Sequence, residues 1–454
     1  MTLIDPLNPN GISRRQTLQG LAAAAAGVSA ALASQREAAS QIDSKINRGS
    51  APIRIRKVRA IATAPQSIRL VVVKVETTEP GLYGLGCATF NQRPLAVVEA
   101  VNKYLDPFAK NRAVDNIEDL WQTAYTSSYW RNGPVLNNAL SGLDMALWDI
   151  KGKRAGMPIY QLLGGKSRFA VDCYAHASGD NEKELEESVR RLAAKGFRHI
   201  RIQLGAYGSP HLSKNPDFRT AGFGQPQDTH MDSAAYLQAM PKIFQHMRKQ
   251  FGNEIELLHD VHERIQPIEA IGLLKQLEPY KPFFIEDPLA PEQNGYFPQL
   301  RQQTACPIAM GELFNNPHEW VGLITDRLID FIRVHISQIG GLTPARKLAT
   351  LAECFGVRTA WHGPGDVSPV GHACNGHLDL TVHNFGIQEA PSFTDAMKEV
   401  FPGSPEVKNG YMHVNEAPGF GVDINETLAA KYPLPQDPGY WEPVRRRDGT
   451  AVRP

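Results

Sequence analysis

Three apolar runs that each break off at a carboxylate constrain this chain more than any other feature in it. Glu256-Leu257-Leu258-His259-Asp260, Phe283-Phe284-Ile285-Glu286 and Ile308-Ala309-Met310-Gly311-Glu312 put those carboxylates at equally spaced positions 260, 286 and 312. Each run is short enough to be a buried strand. The interval between them suits a strand, a loop, a helix and a return loop, the repeating unit of a parallel barrel.

Five further runs, at 170–177, 199–204, 330–336, 358–362 and 386–389, raise the count to eight, which is what a closed barrel needs. The expected fold is α/β, a modified (β/α)8 barrel of TIM type over residues 166–395. Active sites of such barrels sit at the C-terminal strand ends. Here those ends carry His176, Arg201, Asp260 with His262, Glu286, Glu312, Arg333 with His335, His362 with Asp366, and Glu389. Charges gathered at a dry barrel mouth cost desolvation unless they bind something. His335 reads as a barrel histidine satisfied by its surroundings.

Ahead of the barrel, residues 53–165 read as an α+β capping domain. Ser67 to Val75 reads as a strand, Glu79-Pro80-Gly81 as a turn, and Asn137 to Ile150 as a helix with Leu140, Leu143, Leu147 and Ile150 on one face. Residues 396–454 are rich in Pro and Gly and are expected to return to the cap. Between the second barrel strand and the helix near Met231, the segment Leu204 to His230 is long and rich in Gly, Pro, Asn and Asp. Compact domains rarely keep such a connection unless it covers a ligand, so it is a candidate lid.

The bulk composition narrows the partners. A chain of 454 residues with a formal net charge of +1 offers no electrostatic case for nucleic acid or an anionic membrane surface, leaving small molecules. Its five cysteines, Cys87, Cys173, Cys306, Cys354 and Cys374, are scattered and show no CxxC spacing, which suggests neither a disulfide framework nor a zinc site. Asp260, Glu286 and Glu312 offer hard oxygen ligands, a set that suits Mg²⁺ better than zinc.

Residues 1–34 contain Ser13-Arg14-Arg15-Gln16-Thr17-Leu18-Gln19 ahead of an alanine-rich run. They resemble a twin-arginine export signal, with a cytosolic tail as the alternative and residues 35–52 as a linker. The resemblance implies a periplasmic enzyme.

A second resemblance covers nearly everything from residue 53 to 450. Met145-Ala146-Leu147-Trp148-Asp149-Ile150-Lys151, Leu162-Leu163-Gly164-Gly165 and the three acidic strand ends resemble the enolase superfamily. Within it, Tyr129-Trp130-Arg131-Asn132-Gly133-Pro134, Tyr174-Ala175-His176-Ala177, His259-Asp260-Val261-His262, His362-Gly363-Pro364-Gly365-Asp366 and Asn384-Phe385-Gly386-Ile387-Gln388-Glu389 look like the mannonate dehydratase group. The likeness implies a Mg²⁺-assisted elimination of water from a sugar acid, giving a 2-keto-3-deoxy acid, in a homo-oligomer. It implies Asp260, Glu286 and Glu312 as metal ligands, His262 as the acid, and Arg201 with a loop tyrosine as the base. Tyr207 resembles that tyrosine, although the linker from Arg201 is shorter here, and a plain loop aromatic is the other reading. Asn91, His176, Arg333, His362, Asp366 and Glu389 match positions that contact substrate. Two departures, Pro364 after Gly363 and Arg453-Pro454 where relatives often place a terminal Trp, leave mannonate itself open. A racemase or cycloisomerase of the superfamily would want Lys-x-Lys ending the second strand, where this chain has Arg201-Ile202-Gln203. A protein that binds sugar acids without converting them is the reading from another class.

Overall fold

The computed structural model describes residues 27, 30, 31, 33–35, 52–205, 229–363, 365, 367–436, 444–446 and 450–453. Tyr207, Asp366, Pro364, nearly all of the candidate lid and most of the export-like segment lie outside the described residues. Among the described residues no helix is long and apolar enough to cross a membrane.

Ile55–Thr63 (β1), Leu70–Thr77 (β2) and Tyr83–Cys87 (β3) form an antiparallel sheet in the order β1-β2-β3. β2 is buried along nearly all its length, as its Val-rich sequence requires. The helix Pro134–Ala155 covers that sheet, and it is buried nearly all round because it is sandwiched between sheet and barrel. Its close approach depends on small residues. A Cβ on Gly86 would stand 2.1 Å from the Gly142 carbonyl oxygen.

The barrel strands are Val171–Gly179 (β4), His199–Leu204 (β5), Glu256–Asp260 (β7), Phe284–Glu286 (β8), Ile308–Met310 (β9), Phe331–Ile332 (β10), Arg358–Thr359 (β11) and Gln388–Glu389 (β12), while Thr229–His230 (β6) lies outside the ring. All neighbours pair parallel in the order β4-β5-β7-β8-β9-β10-β11. β12 closes the ring on β4, and Gly386 N–H donates to Thr359 O at 2.9 Å on the other side. The result is the eight-stranded α/β barrel with a cap that the sequence leads one to expect. Several strands are shorter than their apolar runs, because the chain turns outward into the mouth; Asp287 and Gly311 have φ of 38° and 132°.

Inside the barrel, Tyr174, Leu258, Phe284, Ala309, Phe331, Ala360 and Ile387 pack as one ring of buried side chains. The short helix Asp395–Val400 follows β12, after which Glu406–Lys408 (β13) and Tyr411–His413 (β14) form a hairpin, and β14 pairs antiparallel with the start of β4. The chain then reaches the cap, where Glu426 lies 2.6 Å from Arg59 and 2.8 Å from Lys74. Val444–Arg445 (β15) and Ala451–Val452 (β16) pair with each other and β15 with β6.

Candidate active site

Strand alternation builds most of the mouth. Side chains two residues beyond the core ring share its direction. Tyr174 therefore leads to His176, Leu258 to Asp260, Phe284 to Glu286, Phe331 to Arg333, Ala360 to His362 and Ile387 to Glu389. Arg201 enters opposite His176 through the register of β5 on β4. Glu312 breaks the rule, since Ala309 in the ring would put Gly311 inward; the positive φ of Gly311 brings the next residue round instead.

Two guanidiniums run through the acids. Arg201 Nη1 lies 3.2 Å from Asp260 Oδ2 and 2.7 Å from Glu286 Oε1. Arg333, wholly buried, lies 2.9 Å from Glu286, 2.6 Å from Glu312 and 2.7 Å from Glu389. Its remaining donors reach Tyr174 Oη at 3.1 Å. His176 joins the set, with Nε2 2.6 Å from Glu389 Oε1 and Nδ1 3.2 Å from Arg201 Nη2. His362 Nε2 lies 3.5 Å from Glu312 Oε2.

His262 arrives by a different route. Both His262 and Glu263 hold left-handed backbone, at φ 54° and 52°, and the His262 N–H donates to Asp260 Oδ1 at 2.8 Å. That turn leaves the imidazole Nε2 3.7 Å from Glu312 Oε1. His335 is buried, and its Nδ1 accepts from the Ser337 N–H at 3.2 Å, a barrel histidine held by its own loop. Asn91 stands half-buried in the turn between β3 and the helix Pro94–Glu99, with its Oδ1 buried and, among the described residues, without a hydrogen-bond partner.

Asp287 is the acid that sequence reasoning missed. Adjacent residues of a strand face opposite ways, so Glu286 alone seemed destined for the mouth. The left-handed conformation at Asp287 cancels that alternation, and carboxylate oxygens of Asp260, Glu286 and Asp287 lie within 4.8 Å of one another. Glu312, expected from the sequence as the third ligand, lies outside that group of three, against Arg333 and near His262. The adjacent acids Glu286-Asp287 at a strand end were the available signal.

The electrostatics separate these acids. Burial pushes Glu286 well above the usual carboxylate range, with Arg201 and Arg333 opposing; burial and Glu312 push Asp287 the same way. Burial also opposes ionisation of Glu312 and Glu389, yet Arg333 holds both below the usual range, helped by His262 and His176 respectively. Burial and then Arg333 push His362 well below an ordinary imidazole. A Mg²⁺ ion fits this set. Among the described residues Glu286 Oε2 and Asp287 Oδ2 are buried hard oxygens without hydrogen-bond partners, and further positive charge suits acids so buried. Above them opens a cavity of about 540 Å³, a size suited to a small molecule, with His262, Glu312 and His362 on the barrel side and Phe90, Gln92 and Arg93 on the cap side.

Residues 43–164 match the mandelate racemase / muconate lactonizing enzyme N-terminal domain, and residues 184–428 the enolase C-terminal domain-like family. Cap, barrel and acidic mouth thus define an enzyme of the enolase superfamily, whose cofactor is Mg²⁺. Its curated relatives include the D-galactonate dehydratase family member RspA of Pantoea ananatis, 53% identical over 412 residues and covering 88% of this chain and 99% of that protein. A family member from Musicola paradisiaca is 51% identical over 414 residues at the same coverage. The chain belongs to the D-galactonate dehydratase family. Among solved structures, an enolase from Pantoea ananatis with bound D-gluconate and Mg is 52% identical, with a TM-score of 0.85 over 88% of this chain and 100% of that one. A putative galactarate dehydratase from Agrobacterium radiobacter, with Na and L-malate bound, is 25% identical with a TM-score of 0.74 over 88% of this chain and 100% of that one.

Proposed function

We propose that this protein dehydrates a six-carbon aldonic acid of the mannonate or gluconate type to its 2-keto-3-deoxy acid. The observation that carries the reading is the buried acid group of Asp260, Glu286 and Asp287, which reaches through Asp287 the cavity that Glu312 and the His262 imidazole also line. The gluconate and Mg bound by the Pantoea ananatis relative support the substrate class.

Asp260 and Glu286, joined by Asp287 or Glu312, would hold Mg²⁺, and Arg333 fixes the acids around it. When bound, the ion supplies positive charge for the substrate carboxylate and so acidifies the hydrogen on its α-carbon. Arg201, fixed between Asp260, Glu286 and His176, would supply the positive charge that keeps a tyrosine base ionised, the role proposed here for Tyr207. The base takes the α-proton. His262 gives its proton to the 3-hydroxyl, which leaves as water while its bonding pair stays with that oxygen and the C2–C3 double bond forms. The enol product then rearranges to the ketone. β5 carries Arg201-Ile202-Gln203 and so presents no Lys-x-Lys pair of the kind a racemase would want there.

Purified protein with Mg²⁺ is to be incubated with gluconate, mannonate and their epimers, and 2-keto-3-deoxy products measured. Turnover of at least one hexonate is expected, and saturable binding of the set without turnover of any member defeats the proposal. Periplasmic export belongs to the same proposal, and a full-length, unprocessed protein in the cytosolic fraction of the native host counts against it.

A further inference from the structure

The acid cluster provides for the carboxylate end of an acid sugar, and the far end needs a partner in the same cavity. The cap supplies Phe90, Gln92 and Arg93 to that wall. Arg93 is the cation among them. Its Nη1 donates to the Gln92 carbonyl at 2.6 Å, and among the described residues it has no ion-pair partner. A guanidinium has five N–H donors in a rigid fork, so most of its donor capacity remains open.

The backbone behind it is fixed. The Arg93 N–H donates to Phe90 O at 3.1 Å, closing a tight turn, and Arg93 caps a helix whose first residue is the buried Pro94. A rigid anchor lets a long side chain select distance, because little ordering remains to be done on binding. The opposite wall carries Asp287 and Glu312, at the mouth where the carboxylate end is to be anchored, which leaves the cation on the cap side to meet the neutral, oxygen-rich tail.

We propose that Arg93 is a specificity-determining residue that measures substrate length, donating hydrogen bonds to the terminal hydroxyls of a six-carbon acid sugar anchored by its carboxylate at the barrel mouth. This rests on the functional reading above. Such charge-assisted bonds correspond to roughly a ten- to hundredfold change in affinity. A four-carbon aldonate, held at the same carboxylate, does not reach the cap.

The full chain with Mg²⁺ is to be compared with Arg93→Met and Arg93→Lys. KM and kcat are measured for a hexonate and for a four-carbon aldonate of matching C2 and C3 configuration, and binding of both by calorimetry. Arg93→Met should raise KM and Kd for the hexonate by about ten- to a hundredfold. It should leave kcat and both four-carbon constants unchanged, with Arg93→Lys in between. Equal losses for both lengths, or none for the hexonate, overturn the proposal. A wild type that binds hexonates without converting them defeats the dehydratase reading, while calorimetry still decides the role of Arg93. A wild type that binds no hexonate overturns both.

Discussion

His262 shows how a residue can be named from sequence while its placement is not. Its nearness to Asp260 was readable, and the spacing of two suggested simple alternation along a strand. The structure reaches the same mouth through two successive left-handed residues, which hold His262 by its backbone N–H to Asp260 Oδ1 and bring the imidazole Nε2 toward Glu312. Phe284 and Glu286 needed no such turn, because a period of two carries from core ring to mouth. In the proposed mechanism the acid acts after the α-proton has gone, and this gives a separable prediction. His262→Asn should lower dehydration by about 10²- to 10⁴-fold. Exchange of the α-hydrogen with D₂O, followed by NMR of the recovered substrate, should persist. Loss of both activities together would remove His262 from the role of acid.

At the scale of the element, strand ends decide which acids meet. β9 would present the wrong residue to the mouth if it ran straight, and Gly311 at φ 132° corrects it. A side chain there is doubly disfavoured: the conformation suits glycine, and an added Cβ would stand 2.9 Å from Phe314 and 3.2 Å from Val334. Gly311→Ala should therefore cost about 1–3 kcal/mol of stability, read as a fall in Tm. It should also displace Glu312 from Arg333, seen as weaker Mg²⁺ binding in calorimetry; unchanged affinity would mean that Glu312 neither holds the ion nor orients a group that does. The eight strands themselves were legible, since apolar runs bounded by turns carry a strong signal. Gly311 and Asp287 were not, because a positive φ is set by tertiary packing at the strand end and leaves no periodic trace. Asp287 stayed hidden for that reason, although its neighbour Glu286 was plain.

For the whole molecule, two linkages tie stability to solution conditions. The first is the ion, which binds acids that burial otherwise penalises, so Mg²⁺ should stabilise the folded chain by about 2.7 kcal/mol at a hundredfold excess over its Kd. Chelation should lower Tm accordingly, and Glu286→Gln should abolish the response to added Mg²⁺. The second is acid, acting at the seam between cap and barrel. His377, on the barrel helix Pro369–Asp379, stacks on Tyr160 of the cap with ring centroids 5.6 Å apart. Its Nδ1 accepts from the Tyr160 N–H, and its Nε2 lies 3.3 Å from the Phe420 carbonyl in the C-terminal segment. Only a neutral ring with the proton on Nε2 satisfies both partners, because a second proton would set one N–H against another. Burial pushes His377 down to about 4, and burial with Arg358 does the same to His199. Both native histidines therefore bind fewer protons than the unfolded chain between their ordinary value of 6.5 and about 4. The stability they protect is complete above pH 6.5 and falls as the pH drops through that window. His377→Gln keeps an acceptor and a donor without a titrating group. Its Tm should fall less than that of the wild type between pH 7.5 and pH 4.5, whatever its Tm at neutral pH. Parallel Tm profiles for the two proteins would show that protonation at this seam does not govern the acid limb.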